Sequence, residues 1–314
     1  MRWWRRRETG TMVGLLLLCV ALFIATPYFA TVDNLRNVAE QSTVIGTLAI
    51  GMTFVIIAGG IDLSVGSVVA LSGVVLAMTL RAGTGAAIAV ALALLVGAAT
   101  GAVNGALVTI GRLPPFIATL GTMSVARGLA LLLADGRPIS GFPDGLRALA
   151  TARWFGLPVS VMVMLGLFAI AQLVLTRTVL GRFTFAIGGN AEAARLAGIP
   201  VRGYTTGTYV IAGVSAALCA TLLLARLNSA QPIAGIGYEL DAIAAVVIGG
   251  TSLLGGSGSV LGTLLGALLM SVLRNGLNLL GVSSYIQQIA IGTVIVSAVL
   301  VDMALQRRLR HTPS

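Results

Sequence analysis

Apolar runs of about twenty residues recur along the whole chain, and that recurrence limits the fold more than any other feature. A helix needs about 20 mainly apolar residues to cross the hydrocarbon core of a bilayer. Such runs lie at roughly 11–30, 40–60, 65–80, 84–110, 116–134, 158–176, 204–225, 241–255, 258–274 and 286–304. Charged residues make up only 10% of the 314 residues, and 57% are hydrophobic. A soluble domain is nearer a quarter charged, so a soluble fold of this length lacks the polar surface to cover its core. In lipid the backbone must satisfy its polar groups internally, which favours helices. The expected fold is all-α, a polytopic transmembrane helical bundle of eight to ten crossings, with ten favoured. The third and eighth runs, near 65–80 and 241–255, are short and are expected to be broken or re-entrant if they do not span. The 40 glycines suit close helix packing in a bilayer.

The net charge is +10 and every basic residue is arginine. Most of these arginines lie between the apolar runs, so they read as topology signals and not as a nucleic-acid surface. Arg2, Arg5, Arg6 and Arg7 precede the first run, and Arg307, Arg308 and Arg310 follow the last. Both termini are therefore expected in the cytoplasm, with an even number of crossings. Residues 1–10 and 305–314 are the expected cytoplasmic tails, and 11–304 a single transmembrane domain. The first run resembles a signal peptide, but it continues to about Ala30, and Pro27-Tyr28-Phe29 is a poor cleavage site. It reads as a retained first helix. Ten crossings put the loop at about 177–203 inside, with Arg177, Arg182, Arg195 and Arg202. The loop at about 135–157 then falls outside. It is polar, holds Pro138 and Pro143 with Pro158 at its end, and suits an external partner, although Arg137, Arg147 and Arg153 run against the charge rule.

Cys19 and Cys219 sit inside apolar runs and form neither a metal spacing nor a disulfide framework. The sole histidine is His311 in the tail. There is no GxxxxGK[ST] phosphate loop and no recognisable nucleophile–base pair. The expectation is a transporter and not an enzyme, with no cofactor or metal of its own.

Four segments carry the remaining signal. Gly59-Gly60-Ile61-Asp62-Leu63-Ser64 frees the backbone from helical torsions and then supplies a carboxylate to cap a restarting helix. A carboxylate at membrane depth needs a partner or water, so Gly59, Gly60, Asp62 and Ser64 are also gate or path candidates. Pro114-Pro115 ends one helix and opens the next. Arg127 lies within a run and must snorkel, pair with an acid or face water. In the inner loop, Gly188-Gly189-Asn190 stops what precedes it, and Asn190 is a good N-cap. Glu192-Ala193-Ala194-Arg195 are helix formers, and Gly198 ends the helix. The last segment opens with Glu239 and Asp241, suited to cap a short helix or to touch substrate. It breaks at Gly249-Gly250 and is followed by Asn275 and Asn278, whose amides suit cross-helix bonds or sugar hydroxyls. Val55–Ser67 and Val246–Ser257 share a pattern of apolar run, Gly-Gly, turn and new apolar run, which reads as an internal repeat with matched helix breaks.

Together these segments resemble the permease subunits of monosaccharide ABC importers, the ribose-type branch in particular. The similarity spans about Asn34 to Asp302 and is strongest in GGIDLSVGS at 59–67, AIGGN at 186–190, GYELDAIAAVVIGGTSL at 237–253 and NGLNLLGV at 275–282. Glu192 to Gly198 is similar to the importer loop that docks on the ATPase. The resemblance implies a type II importer permease fold in a bacterial inner membrane and a second permease copy, homodimeric or heterodimeric. It also implies cytoplasmic ATPase subunits that hold ATP and Mg, and a periplasmic or surface sugar-binding protein. Two alternatives stand beside a monosaccharide. One is a nucleoside, amino acid or sugar-like signal carried by the same family; the other is ion-coupled secondary transport.

Overall fold

The structure, a computed structural model, describes residues 2–142, 144–154 and 156–310. Pro143 and His311 lie outside the described residues. The helices are α1 (Arg2–Ala25), α2 (Val32–Ile57), α3 (Val65–Arg81), α4 (Ala86–Thr109) and α5 (Pro115–Leu133). A small cap follows, of β1 (Ile139–Ser140), α6 (Asp144–Thr151), β2 (Arg153–Trp154) and β3 (Leu157–Pro158). Then come α7 (Val159–Arg177), α8 (Val179–Gly189), α9 (Ala191–Leu196), α10 (Val201–Leu227), β4 (Ser229–Ala230), α11 (Tyr238–Ile248), α12 (Val260–Leu279) and α13 (Ser284–Arg310).

Each of the ten apolar runs corresponds to a helix. Among the described residues seven helices are long and apolar enough to span, namely α1, α2, α4, α5, α7, α10 and α12. The two runs that look short in the sequence are short helices. With 17 residues, α3 reaches about 25 Å at 1.5 Å per residue, and α11 with 11 residues reaches about 16 Å, half a crossing. The run at 241–255 is therefore a half-helix that stops at Ile248, followed by the Gly249-Gly250 break.

Burial sorts the spans into a buried centre and an exposed rim. The apolar window of α2 is 89% buried and that of α10 is 67%, against 11% for α1 and 22% for α4. Leu48, Met52, Val55 and Ile56 of α2 pack on Val65 and Val68 of α3 and on Tyr209, Ala216 and Cys219 of α10, with Ala245, Val246 and Met270 closing the core. Lipid offers no hydrophobic drive between helices, so close backbone approach supplies much of their attraction. Gly97, Gly101 and Gly105 form one stripe on α4. A side chain on Gly105 would lie 2.6 Å from the Thr206 Cα of α10, and on Gly101 it would strike the Tyr209 backbone.

The contacts also separate two ends of the bundle. At one end the Ser259 hydroxyl donates to Glu8 at 2.5 Å, the Thr11 hydroxyl to the Ile248 carbonyl at 2.5 Å, and the Gly256 amide to the Ile57 carbonyl at 2.9 Å. The start of α1, the end of α2 and the α11–α12 connection thus meet. At the other end β1 pairs antiparallel with β4, which ties the 135–157 segment to the connection after α10.

Candidate functional site

The loop between α7 and α10 holds α9, a helix of six residues with both ends fixed. Asn190 is its N-cap, with extended backbone (φ −162°) and a side-chain oxygen that accepts the Ala193 amide at 3.0 Å. At the far end Gly198 takes φ +84°, its amide donates to the Arg195 carbonyl, and the Ile199 amide donates to Ala194, both at 3.0 Å. This is a Schellman closure, in which glycine adopts the left-handed backbone that a side chain resists. Ala194 is buried and seats the helix, whereas Ala193 faces out and Leu196 is 74% exposed. Glu192 and Arg195 form a forked pair at 3.1 and 2.6 Å. The Arg195 hydrogen bonds and charge hold the Glu192 carboxyl below the usual carboxylate range and raise the guanidinium in return. Phe183 of α8 and Tyr204 of α10 stack edge-on at 4.9 Å and brace the base of the loop. The result is a stiff surface knob with an apolar tip and two opposed charges.

The Gly59-Gly60 break leads into a buried polar cluster. Gly59 has φ +82° and ends α2, as the paired glycines predict. Asp62, however, does not cap the next helix: the position before α3 is Ser64, which makes no side-chain cap. The Asp62 carboxylate instead accepts the Ser64 amide at 2.9 Å and hydroxyl at 2.6 Å. Asn104 of α4 donates to Ser64 at 2.8 Å and to Asp62 at 3.4 Å. Asp62, Ser64 and Asn104 are all under 2% exposed, and no basic side chain pairs with this carboxylate among the described residues. Among the described residues the Asn104 carbonyl oxygen lacks a partner, and the Tyr209 hydroxyl lies beside the Ile61 backbone.

A second charged group lies where the connection after α10 folds back into the bundle. Arg127 of α5 donates to the carbonyls of Pro232 at 2.9 Å and Ala234 at 2.7 Å, and lies within electrostatic reach of Glu239. It forms no direct ion pair among the described residues; carbonyls of the connection after α10 hold it. Glu239 accepts the Gly237 amide at 3.3 Å, reaching back to the residue before α11 as a capping acid does. Asp241 does not cap. It is 2% exposed and takes Arg274 of α12 at 2.5 Å.

The two amides after this segment are structural in the fold. Asn275 and Asn34 exchange reciprocal hydrogen bonds at 3.0 and 2.8 Å across α12 and α2. Asn278 accepts from Gln287 of α13 at 2.7 Å. Pro114 and Pro115 stand at the cap and first position of α5 as expected. Gly249 follows α11, and Gly250 has φ +93°. Asn104, Tyr209 and Arg274 escaped the sequence reading. A lone amide inside the charge-free α4 and a lone charge inside α12 were the available signals.

The family model for the branched-chain amino acid transport system / permease component matches residues 34–300. The chain is 44% identical to the ribose import permease protein RbsC of Haemophilus influenzae over 299 residues, covering 94% of this chain and 93% of that protein. With the ribose import permease protein RbsC of Escherichia coli the identity is 47% over 302 residues, with the same coverage. The D-allose transport system permease protein AlsC of Escherichia coli is 38% identical over 296 residues, 93% of this chain and 91% of that protein. No solved structure matches the chain significantly. A multi-pass helical bundle matched along nearly its whole length by one family model and by these relatives belongs to the branched-chain amino acid transport system / permease component family, as a membrane permease subunit of the ABC-importer type.

Proposed function

We propose that this chain passes D-ribose, or a closely related pentose, inward across a bacterial inner membrane, as one of two permease copies. The observation that carries the substrate class is the gradient of identity, higher to the ribose permeases than to the allose permease across the same length. Energy comes from ATP and Mg on separate cytoplasmic ATPase subunits. They grip α9, the coupling helix formed by Asn190, Glu192, Ala193, Ala194 and Arg195 and closed by Gly198. Both termini then lie in the cytoplasm, and the 135–157 segment lies outside, where a loaded sugar-binding protein docks. The rigid double capping of α9 supports the coupling role, because a lever must not unwind when pushed.

The pathway runs beside Gly59, Gly60, Asp62 and Ser64 at one level and Glu239 at another. Arg127, inside a candidate span, and Glu239, in the first turn of α11, are both half-buried. Charges there are costly against lipid, so they are expected to face water or a second copy. Asn275, Asn278 and Asp241 have protein partners and are assigned to the scaffold. ATP and the loaded binding protein supply the differential affinity that a two-state switch requires.

The test is uptake of radiolabelled D-ribose into proteoliposomes holding this permease with its ATPase subunits. Uptake is expected only with internal-site ATP and the external binding protein. Uptake driven by an ion gradient alone refutes the reading and favours secondary transport. The family model's description names branched-chain amino acids, so leucine is the competitor to run. Inhibition by leucine and not by pentoses shifts the substrate class while leaving the ATP-driven mechanism.

A further inference from the structure

The last turn of α8 meets two helix breaks through bare backbone. Gly188 lies against the Ile57 carbonyl at the end of α2, and a side chain placed on it would also sit 2.5 Å from the Gly256 amide. Gly255 faces the same spot: its side chain would lie 2.8 Å from the Gly188 carbonyl and 2.9 Å from the Gly59 Cα. The Gly256 amide donates to the Ile57 carbonyl at 2.9 Å and closes the junction. Three segments far apart in sequence thus touch with no side chain between them. Side chains absorb small shifts by changing rotamer, whereas closely packed backbone transmits them. The segments are also the two breaks of the repeat pattern and the stretch immediately before Asn190.

We infer that Gly188, Gly255 and Gly59 are positioning residues for transport: they fuse the base of the coupling helix to the α2–α3 and α11–α12 breaks, so that α9 drives both breaks as one body. The inference rests on α9 being the coupling helix. From this junction one route leads through Gly60 to the Asp62–Ser64–Asn104 cluster at the start of α3. The other leads through Gly249-Gly250 to α11, whose first turn holds Glu239. A push on α9 therefore reaches both polar levels of the proposed path at once.

Gly188→Ala tests the junction in the complete complex with ATPase and binding protein. Transport per ATP hydrolysed is expected to fall by about tenfold or more, the scale of a small change in switching energy, with assembly and basal ATPase retained. Gly207→Ala, whose added methyl meets nothing within 4 Å, is the control and is expected to behave as wild type. Normal coupling in Gly188→Ala overturns the inference. A second measurement holds if that variant misfolds. Spin labels on Ala197→Cys and Leu254→Cys, both exposed, form a junction pair in a Cys19→Ala background that leaves only the fully buried Cys219. The separation of this junction pair is expected to stay fixed between nucleotide-free and ATP–vanadate states, while an Ala197→Cys and Arg137→Cys reporter pair changes. A junction-pair separation that changes as much as that of the reporter pair overturns the junction. Gly198→Asp separates the two claims. If it leaves transport normal, the coupling reading fails; if it abolishes transport while the junction-pair separation changes, the junction alone fails.

Discussion

Replacing Asn275 by leucine tests whether its amide holds helices or reads sugar. Asn275 is 2% exposed and Asn34 is 8% exposed, and they exchange two hydrogen bonds between α12 and α2. Asn275→Leu removes both bonds. Asn34 keeps its donation to the Phe29 carbonyl at 2.9 Å, but its own oxygen is left buried without a donor. Interhelical hydrogen bonds in membranes average about 0.6 kcal/mol, and an orphaned buried polar group costs about 1–3 kcal/mol. The orphan dominates, so the expected loss is about 2 kcal/mol. The double variant Asn34→Leu/Asn275→Leu removes the orphan and is expected to recover about half of it, leaving only the Phe29 carbonyl short of a bond. Unfolding midpoints in detergent for the two single variants and the double variant give the coupling, and ribose uptake gives KM. The reasoning is refuted if Asn275→Leu leaves stability unchanged and raises the KM for ribose, since that behaviour belongs to a substrate contact.

Three further outcomes follow from the geometry. Gly198→Asp forces a side chain into φ +84° and opens the Schellman closure of α9; uptake in vesicles is expected to fall by about tenfold while the protein stays in the membrane. Asp62→Ala strips the acceptor from the Ser64 amide, the Ser64 hydroxyl and Asn104 and is expected to cost about 3 kcal/mol in thermal or denaturant unfolding, whereas Asp62→Asn keeps one acceptor oxygen and costs about half as much. Arg274→Met leaves the buried Asp241 carboxylate unpaired. Because Arg274 is itself 39% exposed the expected loss is about 2 kcal/mol, below the range for fully buried pairs, and Asp241→Leu added to it is expected to restore most of the loss.

The sequence discloses what is periodic and local. Apolar run length marks the seven described helices long enough to span, and it marks α3 and α11 as short because a run cannot span further than its residues reach. The ends of α9 are equally local: an asparagine cap and a left-handed glycine act within four residues, so both are readable before any tertiary contact. Partners are not readable in this way. Asp62 and Asp241 each stand where an acid caps a helix, yet Asp62 turns to Ser64 two residues on, with a longer contact to Asn104, and Asp241 turns to an ion pair that the fold supplies. Asp62 meets Asn104 from 42 residues away, and Asp241 meets Arg274 from 33. Asn34 and Asn275 are 241 residues apart. At membrane depth a polar side chain takes the strongest partner that the bundle brings, and a local cap loses to a buried ion pair. The glycines illustrate the same limit. Their number predicts close packing, but only the bundle reveals that Gly101 faces α10 and Gly188 faces Ile57.

The central claim is that α9 lies on the cytoplasmic face under the ATPase. The direct measurement is labelling of Ala193→Cys, in a Cys19→Ala background, with a membrane-impermeant maleimide. In right-side-out vesicles the account expects no labelling. In inside-out vesicles it expects full labelling once the ATPase subunits are stripped away, and protection when they are added back. Labelling from the outside, or labelling from the inside that the ATPase does not block, contradicts it.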